Sequence, residues 1–253
     1  QKASPAASYD EGQSGVITLA SEGMMDIQGS VAFTHFSEVS LQAGQDIRLS
    51  DEQYTYKSGT GAQIQELWTG SIESAGPLLN LEAGRIYPTT RAHFSFLSGS
   101  KIETSRSLRR APPGPMVSAG GQVKLEAPLI EHNGFLAAPM GRIELESPGQ
   151  DRGGRIVLGP RSVTSVTSET AVTFGLIYED EFWKFRPHPA EPGVVSTNVN
   201  DWPFVQSPPQ KGVSITSKQG QVIVRDGATI DVSGGGELFA ASFMPSLNGL
   251  ADP

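Results

Sequence analysis

The chain has 253 residues, 37% of them hydrophobic, enough to bury the core of one large domain or two smaller ones. A formal charge of −8 argues against the basic face that nucleic-acid phosphates demand, and the absence of cysteine excludes disulfides and thiolate metal centres. Gly (29) and Pro (18) are plentiful while only 18% of residues are charged, a balance that favours short strands and many turns over helices.

The chain opens on Gln1 and reads as a mature or excised piece of something longer, with residues 1–12 expected to be a linker. No apolar run approaches the roughly 20 residues of a membrane-spanning helix. The first strand signal is "GVITL" at Gly15, followed a few residues on by "MMDIQG"; "VSLQAG" and "DIRLSD" repeat the pair. Residues 50–70, with Tyr54, Tyr56 and Trp68, are expected to leave this pattern as an excursion, their "AQIQELW" forming either a short helix or a wider rung. Alternation resumes at "HFSFLSG", which puts Phe94 and Phe96 on one face and in the core. The basic stretch "SRSLRR" beside "APPGP" reads as a solvated loop.

From Gly121 onward the pattern becomes regular. Gly, any residue, Val or Ile, any residue, Leu or Val occurs at Gly121 ("GQVKL"), Gly141 ("GRIEL"), Gly154 ("GRIVL") and Gly220 ("GQVIV"), as it does at Gly15. Composition alone would give roughly half a match across the chain. In each copy the glycine turns freely, and the third and fifth residues share one face of a strand. The 20 residues from Gly121 to Gly141 suit one circuit of strand, turn, strand, turn. Stacked circuits would pair strands in parallel about 4.8 Å apart, with Val, Ile and Leu forming ladders along the stack. The predicted class is therefore all-β, a parallel β-helix with loop excursions. The alternative is an antiparallel sandwich, for which longer strands and turn signals every 8 to 12 or so residues would be expected.

The run "GGQVKLEAPLIEHNGFLAAPMGRIELESPGQDRGGRIVL" and the later "GATIDVSGGGEL" resemble rungs of filamentous-haemagglutinin-like exoproteins, the large secreted partners of bacterial two-partner secretion. The likeness is clearest over 115–175 and 211–236, extends over 12–105, and is absent over 178–210. It implies a right-handed β-helix exported through an outer-membrane pore protein and displayed or released at the cell surface as an adhesin. The family's secretion domain carries Asn-Pro-Asn motifs, and this chain has no Asn-Pro dipeptide. The implied piece is an interior stretch of shaft, 1–177 and 211–253, continuous with further rungs.

Residues 178–210 are expected to be an insertion outside the rungs. Here Trp183, Trp202, Phe182, Phe185, Phe204 and His188 stand among several prolines. Such aromatics either pin the insertion onto the side of the shaft or form a surface that stacks on sugars or fills a partner's pocket. Trp183, Trp202, Phe182, Phe204 and His188 are the candidate binding residues.

Catalytic and metal motifs are not found. His35, His93, His132 and His188 are isolated, and there is no HExxH, Walker lysine, GxSxG elbow or calcium-binding nonapeptide. No cofactor, metal or N-glycosylation site is predicted. The leading function is structural and adhesive, a shaft presenting loops to a host or bacterial receptor or glycan. The alternatives are a filament or matrix scaffold, and a polysaccharide lyase or glycosidase. The hydrolytic version would need carboxylates about 5 to 9.5 Å apart, for which Asp180, Glu181 and Asp201 are the nearest acids.

Overall fold

Alternating apolar residues between tight corners dictate strands that bury one side only. The computed structural model describes residues 15–50, 52–58, 63–107, 114–149, 153–178, 182–184, 204–205 and 207–242. Among them every regular element is a β-strand.

The chain visits three sheets in cyclic order. β1 (Gly15–Ser21), β2 (Met25–Gln28) and β3 (Ser30–Phe33) start the first, second and third sheets. β4 (Phe36–Ala43) and β5 (Asp46–Ser50) add to the first two; β6 (Glu52–Ser58) then folds back antiparallel on β7 (Gln63–Ser74), which joins the third. β8 (Leu78–Ala83), β9 (Arg85–Pro88) and β10 (His93–Ser98) repeat the order. β11 (Lys101–Arg106) in the first sheet leads to β12 (Gln122–Glu126) in the third. β13 (Leu129–Asn133), β14 (Phe135–Ala137) and β15 (Arg142–Ser147) complete another pass. After β16 (Arg155–Leu158) and β17 (Val163–Ser165), the chain makes β18 (Ala171–Tyr178) and β19 (Phe182–Lys184) before returning to the third sheet as β20 (Gly212–Ser217). β21 (Gln221–Val224) and β22 (Thr229–Asp231) end the first and second sheets, and β23 (Glu237–Ser242) joins β18 and β19 in a small fourth sheet.

Within the first three sheets every pairing except β6 with β7 is parallel, as the repeats predict and as a sandwich of hairpins would not be. Gln63–Trp68 of the "AQIQELW" stretch are extended in β7, so of its two readings the helix falls away. Register lines up like with like. In the first sheet Ile17, Val39, Leu79, Ile102, Ile130, Ile156 and Val222 stand opposite one another in turn. In the third, Val31, Ile72, Phe96, Leu125, Leu145 and Ile215 do the same. The inner members of both ladders, with Ile47, Ile86 and Leu136 of the second sheet, belong to one buried cluster, each side chain contributing about 1.5–3 kcal/mol of transfer energy. Phe94 and Phe96 lie in it as expected, their ring centroids 5.3 Å apart.

The repeated glycines answer to contact between circuits. A Cβ on Gly141 would meet the Gly121 carbonyl oxygen at 1.9 Å, and one on Gly220 the Gly154 oxygen at 1.7 Å. A second corner is stacked through its backbone. Arg91, Gly120 and Met140 all adopt left-handed φ (64°, 71° and 51°), each ahead of a third-sheet strand. Their amides donate to the carbonyls of Ala119, Pro139 and Val166, each at 2.9 to 3.0 Å.

Two polar groups are built into the stack. Asp46 and Arg85, neighbours in the second sheet, form a buried bidentate pair at 3.0 and 2.5 Å, and Arg85 also donates to the Gly114 carbonyl at 2.7 Å. His132 replaces leucine in a first-sheet ladder that runs Leu41, Leu81, Thr104, His132, Leu158. Its Nδ1 lies 2.6 Å from the Thr104 hydroxyl and its Nε2 3.2 Å from the Val163 carbonyl. The carbonyl can only accept, so Nε2 carries the proton and Nδ1 accepts from Thr104. Burial drives the imidazole pKa down to about 4.

The departures share a location. β6, residues 114–121, and the β18–β19 region each come in the chain ahead of a third-sheet strand, β7, β12 and β20 respectively. That is also where the candidate site is found.

Candidate functional site

The fourth sheet is fastened by a small core of its own. β18 runs parallel to β23 and antiparallel to β19. From β18, Val172 and Phe174 bury against Ala119, and Met140, Trp183, Val205 and Leu238 pack around them. Gly175 makes this closure possible. Its φ of 100° coincides with a register shift in β18, and a Cβ there would meet the Lys184 carbonyl oxygen at 2.3 Å and the Trp183 indole nitrogen at 2.9 Å. With glycine in place, the indole N–H donates to the Phe174 carbonyl. Trp183 is thus half-buried and anchoring.

Strand alternation turns Phe182 and Lys184 to the other side, where Lys184 is buried and Phe182 exposed. Phe182 is 42% exposed and Phe204 53%. Their rings meet edge to face, centroids 5.7 Å apart and planes at 67°. Phe204 is held by an antiparallel bridge to Lys184, whose Nζ lies 4.8 Å from the centre of the Phe204 ring. The Val205 amide extends the tie by donating to the Trp183 carbonyl at 2.8 Å. Two phenyl rings therefore stand on a braced support in solvent, an arrangement suited to apolar or sugar faces.

On the Trp183 side a cleft of about 530 Å³ opens among Met140, Trp183, Val205, Pro208, Pro209 and Leu238. Lys211 stands at its side, its Nζ donating to the Ser233 carbonyl at 3.1 Å. Nearby, hydrogen bonds from the Ser233 hydroxyl and amide, with the Lys211 charge, hold the Asp231 carboxyl below its ordinary range. Among the described residues no three His, Asp or Glu side chains come together as metal ligands would.

Of the residues singled out from the sequence, Phe182, Trp183 and Phe204 are brought together, with Trp183 on one face and the two phenylalanines on the other. Trp202, His188 and Phe185 lie outside the described residues, as do Asp180, Glu181 and Asp201. Sequence reasoning passed over Lys184 and the Pro208–Pro209 wall; the alternation Phe182, Trp183, Lys184 is the signal that could have separated the two faces. Comparison with protein families, with curated proteins and with solved structures finds no match for this chain. Among the described residues no helix is long and apolar enough to cross a membrane.

Proposed function

We propose that this chain is a stretch of right-handed parallel β-helical shaft from a filamentous-haemagglutinin-like surface protein, and that its fourth sheet is a docking point for a receptor or glycan. The cyclic visiting of three parallel sheets, with like residues stacked in register, supports the shaft. The resemblance of its rungs supports export through an outer-membrane pore partner and display on, or release from, a bacterial cell.

The observation that carries the docking role is the exposed pair Phe182 and Phe204, fixed to a sheet whose opposite face is anchored by Trp183. A flexible loop would lose rotamer and backbone freedom on binding, whereas a braced pair has already lost it. The expected ligand presents an apolar face, as a pyranose ring or an aliphatic side chain does. A glycan and extracellular-matrix array probed with the chain and with its Phe182→Ala, Phe204→Ala variant tests this. Binding that drops at least about tenfold in the variant, the worth of one good aromatic contact, is the expected result. Equal binding by both proteins removes the pair from the function.

A further inference from the structure

β9 is buried at all four of its positions, and among the described residues no other second-sheet strand is. Ile86 stands in register with Ile47 and Leu136 and points inward, so Arg85 and Tyr87 lie on the outer face, where a sheet open to solvent would expose them. Part of their cover is chain from the next circuit. At one end of β9 Arg85 donates to the Gly114 carbonyl at 2.7 Å, and at the other the Ser118 hydroxyl donates to the Pro88 carbonyl at 2.5 Å. Residues 114–118 therefore run as a strap along the outside of β9, in a circuit that adds no strand to the second sheet. This explains why β14 pairs directly with β9 through Leu136 and Ile86, although β11 and β12 stand between the corresponding strands of the other two sheets.

The strap in turn carries the fourth sheet. Thr170, the residue before β18, donates its hydroxyl to the Met116 carbonyl at 3.0 Å. Ala119 shares a core with Val172 and Phe174, and a Cβ on Gly120 would meet the Phe174 ring at 3.2 Å and Pro209 at 2.8 Å. Asp46 and Arg85 are 2% and 9% exposed. A pair so buried carries a desolvation cost that apolar residues of like volume avoid, and so does little for the stack as such. What apolar residues could not supply is the third hydrogen bond, from Arg85 to the strap. We propose that Arg85, oriented by Asp46, is a positioning residue for the fourth sheet: it fixes the strap on which β18 is mounted, and through β18 the support of Phe182 and Phe204. The mounting stands on these contacts alone; its bearing on a ligand rests on the docking role proposed for the two phenylalanines.

Asp46→Leu combined with Arg85→Met removes the latch without leaving a buried charge alone. In hydrogen exchange read by mass spectrometry, amides of 114–121 and 171–178 should exchange at least about tenfold faster in this double variant, the worth of one hydrogen bond to a charged group. Those of β13 and β16 should keep their rates, which a pair serving the whole core would not allow. Thr170→Val, which cuts the tie on the other side of the strap, should speed exchange in 171–178 and leave 114–116 unchanged. Faster exchange in β13 and β16 as well, or a double variant that does not fold, assigns the pair to the core at large and overturns the proposal. So does a loosened strap with β18 unaltered, or no change in either. A ligand that needs the two phenyl rings should bind the double variant several-fold more weakly, and undiminished binding would also overturn the positioning role. The exchange measurements need no ligand, so they are independent of the array, where equal binding by the parent and the Phe182→Ala, Phe204→Ala variant removes the docking role and leaves the mounting intact.

Discussion

Phe96 and Trp183 are both aromatic residues in the middle of short strands, yet they are held in different ways. Phe96 lies between Ile72 and Leu125 in a ladder and belongs to a cluster fed by all three long sheets. Trp183 packs on a handful of residues, keeps a hydrogen bond to Phe174, and owes its place to a glycine with positive φ. The ladders are redundant, since each rung repeats the contact of the one beneath. The fourth sheet is singular, and its aromatics supply by area what it lacks in repetition.

The strongest way to break this contrast is Phe96→Ala, which empties the centre of the stack and should cost about 3–5 kcal/mol in denaturant unfolding. Acid comes next. Because the folded pKa of His132 is held at about 4 against 6.5 for an ordinary histidine, the unfolded chain takes up this proton first. Its contribution is fully present above about pH 6.5 and falls away as the pH drops toward 4, a loss of about 3 kcal/mol. The melting temperature should fall as the pH is lowered across that range, and His132→Leu, which places at 132 the residue found at Leu81 and Leu158, should flatten this part of the profile. The smallest effects sharpen the difference within the fourth sheet itself. Trp183→Ala should cost about 2 kcal/mol, near half the full-burial value, while Phe182→Ala and Phe204→Ala should each stay within about 0.5 kcal/mol. Equal destabilisation by Trp183→Ala and Phe182→Ala in urea melts would contradict the two-faced reading.

This contrast also explains what the sequence disclosed. The glycine-led pattern was visible because each copy is written in five consecutive residues: a glycine at a corner where a stacked strand leaves no room for a Cβ, then two inward residues. Phe94 and Phe96 could be assigned to the core for the same reason. The pattern did not distinguish sheets, and its copies fall in both the first (Gly15, Gly154, Gly220) and the third (Gly121, Gly141). Second-sheet strands such as Arg85–Pro88 were less conspicuous, because a buried ion pair and a proline interrupt their alternation. In the insertion, the aromatics were recognised as a group, but not their division between faces, since that depends on which strand β18 pairs with and on the register shift at Gly175. His132 could not be told from an exposed histidine by spacing alone; its partners Thr104 and Val163 come from neighbouring circuits.

Because the hairpin, residues 114–121 and the aromatic sheet all come just ahead of a third-sheet strand, the strands added to the three sheets gather, among the described residues, at one seam. Peptide epitopes spliced in at that seam, for instance across the tip between β6 and β7, should be carried without disturbing the stacked layers. The same epitope placed at Gly220, ahead of a first-sheet strand and where a Cβ would already meet the Gly154 carbonyl oxygen at 1.7 Å, should abolish folding, which makes the seam a natural place to engineer cargo into a chain of this kind.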